Sequence, residues 1–118
     1  SKTITGFLPF AKKELGLNKL PKIKVVDQVP GADGTTFGRY DPDNSVVYLV
    51  VKGRHIKDAL RTLAHELVHY KQDLNKELEG ENPGATGSPQ ENEANAKAGV
   101  IMRDFDFAHP ELLKDLKS

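Results

Sequence analysis

Between Ile56 and Leu78, seven apolar residues (Ile56, Leu60, Leu63, Leu67, Tyr70, Leu74 and Leu78) step by 4, 3, 4, 3, 4 and 4. That spacing predicts one long helix with an unbroken apolar stripe, which has to be buried. The same helix carries His65-Glu66-Leu67-Val68-His69. At about 100° per residue, the two histidines point almost opposite the Leu60, Leu63 and Leu67 stripe. A helix with core on one side and paired histidines on the other is expected to lie between a sheet and a cleft. The rest of the chain must supply both.

The segments before it supply the sheet. Phe7, Leu8, Ala11 and Leu15 predict an N-terminal helix over about 5–16, with Pro9 early in it and Gly16 as its stop. Lys22–Gln28 reads as a strand after Pro21, and Pro30–Gly34 as a turn. Two more strands are expected at Thr35–Tyr40 and Ser45–Val51, joined by the turn Asp41-Pro42-Asp43-Asn44. The continuous apolar run from Val46 to Val51 suits an inner strand, and the polar strand with Gly38 suits an edge.

After the long helix, 79–87 reads as a loop rich in Gly, Pro and Asn. Ser88-Pro89-Gln90-Glu91 then has Ser at N-cap, Pro at the first helical position and Glu at the third, a capping box. The helix it opens should reach about Phe107, with Ala94, Ala98, Ile101 and Phe105 inward, and His109-Pro110 opens a short last helix carrying Leu112, Leu113 and Leu116. Strands and helices are segregated, so the expected class is α+β. The reading is one domain over 1–118, with a small three-stranded, mostly antiparallel sheet.

Composition narrows the function. Lys+Arg and Asp+Glu both number 17, and this balance argues against nucleic acid as the main partner. With no Cys, thiolate metal sites and cysteine nucleophiles are excluded. No apolar run approaches the roughly 20 residues of a membrane span, and the N-terminal residues lack a signal-like apolar core. The expectation is therefore a cytoplasmic protein with no membrane partner.

The chemistry lies in the H-E-x-x-H string. Residues four apart share one helix face, so His65 and His69 can bind one Zn2+ through neutral ring nitrogens. Glu66 can hold a metal-bound water and accept its proton, the chemistry of water attacking a peptide carbonyl. A catalytic zinc usually has three protein ligands. The next helix offers Glu91, occupied by the capping box and near the core stripe, and Glu93, offset by roughly 100° from that stripe with small Ala96 beside it. Glu93 is the expected third ligand, and His109 competes with it. An extended motif with glycine three residues after His69 and histidine six after it is excluded, because Gln72 and Asn75 stand there.

Thr62-Leu63-Ala64-His65-Glu66-Leu67-Val68-His69, followed by Glu93-Ala94-Asn95, resembles a small gluzincin metallopeptidase. It is similar to the ImmA/IrrE-type peptidases and other minimal zincin domains of bacteria and phages. The resemblance spans roughly 37–98 and implies a zincin-like fold in which an edge strand above the active-site helix holds the substrate backbone. It implies one zinc per chain on His65, His69 and Glu93, Glu66 as general base, and a peptide or protein substrate in a bacterial or phage-infected cell. A regulatory domain that binds one partner with little or strictly specific proteolysis is the alternative. Lys97 stands where thermolysin-like relatives carry an Asp that orients a ligand, so the ligand-orienting group is open. Tyr40, Tyr70, Arg103 and His109 are all open as stabilisers of the oxyanion.

Overall fold

In the computed structural model, which describes residues 2–29, 37–74 and 89–110, six elements follow one another. They are α1 (Lys2–Leu15), β1 (Lys22–Val26), β2 (Gly38–Asp41), β3 (Val46–Val50), α2 (Ile56–Leu74) and α3 (Pro89–Ala108). The class is α+β, as expected. The turn at Pro30–Gly34, Thr35, Thr36, Leu78, the 79–87 loop, Ser88 of the capping box and the last helix with Leu112, Leu113 and Leu116 lie outside the described residues.

The α1 helix buries Ile4, Phe7, Ala11 and Leu15, a stripe stepping by 3, 4 and 4. It begins earlier than the periodicity suggested, so Pro9 falls in its interior rather than its first turn. Pro9 faces solvent, and its missing N–H removes one rung of the helical ladder. Gly16 ends the helix at φ +67°, a conformation that is costly for a side-chain-bearing residue. The N–H of Leu17 donates to Lys12 O at 2.9 Å and that of Gly16 to Lys13 O at 3.1 Å, so the last carbonyls are paired.

The sheet order is β1-β3-β2. Apolar β3 is the inner strand and β2 lies at an edge. The hairpin between them closes as its turn chemistry dictates: Asp41 accepts from the Asp43 N–H at 3.1 Å and from Asn44 Nδ2 at 2.8 Å. The expectation of a mostly antiparallel sheet is corrected. β2 and β3 are antiparallel, but β1 runs parallel to β3 with Lys22 opposite Val46, so the sheet is mixed. A tight turn forces a hairpin, whereas β1 reaches β3 by a connection passing through β2, which leaves its direction unconstrained locally.

The α2 helix is the centre of the molecule. Leu60, Leu63 and Leu67 are wholly buried, and so are Ala59, Ala64 and Val68 on its flank. It packs on β2 and β3, on α1 and on α3. Phe105 of α3 meets Phe7 of α1 edge-on, with ring centroids 4.9 Å apart. No helix among the described residues is long and apolar enough to cross a membrane.

Candidate metal centre

One helical turn apart on α2, His65 and His69 bring their Nε2 atoms to 3.2 Å. The first turn of α3 delivers Glu91 between them, with Oε1 2.9 Å from His65 Nε2 and Oε2 3.1 Å from His69 Nε2. A tetrahedral ion with bonds of about 2.0–2.1 Å spaces its ligand atoms about 3.3 Å apart. The observed spacing fits an ion of that size, and two imidazoles with a carboxylate suit a divalent transition metal. The three side chains retain exposures of 17%, 12% and 22%, so one side of the cluster opens to solvent. Among the described residues, these three form the one group able to hold a metal.

The tautomer of His69 follows from its neighbour. Gln72, only 1% exposed, donates through Nε2 to Gln90 O at 2.9 Å and to Glu93 Oε1 at 2.7 Å. A carbonyl can only accept, so the Gln72 amide orientation is determined and its Oε1 faces His69 Nδ1 at 2.8 Å. Nδ1 therefore carries the proton and donates it, leaving the Nε2 lone pair for a metal. On His65, burial depresses the pKa and favours the neutral ring a metal requires, and Asn95 lies within hydrogen-bonding reach of it.

Glu93, the expected third ligand, is not brought to the histidines. The Gln72 hydrogen bond, then Lys97 at 3.3 Å, hold its carboxyl below the usual range, and it reaches His69 only through Gln72. The correction has a geometric cause. The histidines face α3, so a ligand from α3 must lie along the face that packs on α2. By helical periodicity Glu91 stands about 20° from Ala98 on that face, and Glu93 about 140° away. Closeness to the core stripe counted against Glu91 in the sequence, yet it is what places Glu91 at the cluster. His109, the competing ligand, packs on Phe10 and Phe105 at the far end of α3.

Gln72 is the residue that sequence reasoning missed in this role. Its signal was the three-residue step from His69, which puts both on one face of α2. The open oxyanion candidates stand elsewhere. Tyr40 donates its hydroxyl to Asp73 Oδ2 at 2.6 Å, and burial pushes its pKa well up. Tyr70 is buried edge-on beneath it, and Arg103 lines a separate hollow.

Glu66 projects beside the cluster toward β2. The Val50 N–H donates to Phe37 O at 2.9 Å, which makes 37 and 50 a hydrogen-bonded pair. By antiparallel alternation, Gly38 and Tyr40 then turn their N–H and C=O groups to the free edge. The Tyr40 N–H bonds to the Glu66 carboxylate. Burial pushes the Glu66 pKa up to about 7, against the lowering pull of His69 and of that N–H. Gly38 lies so close to α2 that a Cβ there would collide with the Thr62 methyl and stand 3.4 Å from Glu66 Cγ. A cleft of about 570 Å³ opens between this edge and α2, with His65 and Glu66 in its wall. Comparison with protein-family models, curated proteins and solved structures gave no match.

Proposed function

We propose that this chain is a zinc-dependent metallopeptidase of the zincin type, with zinc held by His65, His69 and Glu91. The observation that carries the reading is the convergence of these three side chains to 2.9–3.2 Å beside the half-buried Glu66 at an open cleft. Zinc bound there supplies Lewis acidity, which brings the pKa of a bound water toward ~7 and polarises a carbonyl.

The chain's own groups do the rest. Glu66 accepts the proton of the attacking water and delivers it to the leaving amine as the peptide bond breaks. The Tyr40 N–H fixes the orientation of that carboxylate. Gln72 holds His69 in the required tautomer, and Glu93 fixes Gln72 in turn. The outward N–H and C=O of Gly38 offer an extended peptide backbone two hydrogen bonds beside Glu66. A structural zinc site would have no need of the half-buried Glu66 carboxylate or the cleft.

Metal analysis and peptide hydrolysis test the reading together. The zinc-reconstituted chain should hold about one zinc and cleave peptides, losing activity on chelation and in Glu66→Gln. A chain that binds no zinc overturns the reading. One that binds zinc and cleaves nothing replaces it with a partner-binding domain.

A further inference from the structure

The cleft does not end at the metal ligands. It continues along the first turns of α2, where Arg54 and Arg61 line it beside Asp58, with Glu66 the other carboxylate in the wall. His55 also lines it but caps α2, its Nδ1 accepting the Lys57 N–H at 3.1 Å. Among the described residues, neither arginine has a carboxylate at ion-pair distance.

Arg54 is built into place. Its Nη1 donates to Val50 O at 3.1 Å, and its Nη2 to Asp58 O at 3.1 Å and Thr62 Oγ1 at 2.9 Å. Its guanidinium lies over the Phe37 ring, 4.4 Å from the centroid. Every one of these hydrogen-bonding partners is neutral, and the nearby Asp58 carboxylate offsets the charge only in part, without an ion pair. Two of the five guanidinium N–H donors are not used by these bonds. Arg61 is exposed on α2 and adds a second cation to the lining. A guanidinium preoriented in this way matches a carboxylate.

We infer that the cleft selects polypeptides with an acidic side chain, Glu or Asp, within about two residues of the bond to be cut. The inference rests on the peptidase reading and names its substrate class. Its reach comes from the helix: Thr62, which anchors Arg54, stands four residues before Glu66, about 6 Å along the axis. An extended peptide advances about 3.4 Å per residue and covers that span in under two. Gly38, whose backbone faces the free edge, sits directly over Thr62, so a peptide paired there passes beside Arg54.

The test uses the zinc-loaded full chain and a set of decapeptides with Glu, Gln or Lys placed singly at each position around a common centre. Cleavage is mapped with the wild type, and binding is measured by fluorescence anisotropy with the non-cleaving Glu66→Gln chain. Glu should be preferred over Gln by about tenfold at one or two positions, in binding and in cleavage, and the preference should fall with added salt. Arg61→Gln should reduce it, and Arg54→Gln should abolish it. Should Arg54→Gln fail to fold, Arg61→Glu serves instead and should shift the preference toward Lys. Cleavage with no acidic preference, or no binding of any peptide, overturns the inference. Arginine-dependent binding of acidic peptides without any cleavage overturns the peptidase reading and keeps only the acidic-peptide selectivity of the cleft.

Discussion

Replacing Glu66 by Gln separates the energetic burden of the site from its chemistry. Burial raises the Glu66 pKa from 4.5 to about 7. Between those values the folded chain keeps a proton that the unfolded chain has released, so stability falls as pH rises across the interval. A displacement of that size corresponds to at most about 3 kcal/mol, at 1.36 kcal/mol per pKa unit. Gln has the same shape and still accepts the Tyr40 N–H, but it carries no charge to bury. In chelator-treated protein, urea unfolding should therefore show the variant and the wild type nearly equal at pH 4.5. By pH 8 the variant should be the more stable, by up to about 3 kcal/mol. With zinc restored, the variant should keep the metal and lose on the order of a hundredfold or more in turnover. A difference in stability that does not change with pH would show that Glu66 is not a buried, titrating carboxylate, and the argument for it as general base would fall with it.

Other substitutions probe the surrounding shells. Glu91→Ala should abolish zinc binding in a metal titration, while Glu93→Ala should weaken it only about tenfold, through Gln72; the reverse ranking would mean that α3 is turned the other way. Gln72→Leu leaves the His69 Nδ1–H without its acceptor and should cost about 1–3 kcal/mol in denaturant unfolding, with a tenfold to hundredfold loss of zinc affinity. Unchanged affinity would remove Gln72 from any orienting role. Gly38→Ala drives a methyl into Thr62 and should destabilise by about 1–3 kcal/mol. Adding Thr62→Ser removes the obstructing methyl, keeps the hydroxyl bonded to Arg54 and should restore most of the loss; no restoration would place the strain elsewhere.

The close approach at Gly38 illustrates how sequence and structure divide the explanation. In the sequence Gly38 marks only a polar edge strand, whereas in the fold the space a Cβ would fill is taken by Thr62 and Glu66 of α2. The same division runs through the site. His65, Glu66 and His69 lie within five residues of one helix, so their spacing alone places the histidines on one face with Glu66 beside them, because 3.6 residues per turn needs no tertiary information. The buried stripe of α2, the stop at Gly16 and the hairpin at Asp41–Asn44 were legible for the same reason: each depends on residues a few positions apart. The parallel pairing of β1 with β3, the choice of Glu91 over Glu93 and the part played by Gln72 depend on how distant segments meet. Two glutamates about 200° apart on α3 are equally good ligands in isolation. Only the rotation of α3 about its axis, set by packing Ala94 and Ala98 against α2, decides which carboxylate reaches the histidines and which is left to brace them through Gln72.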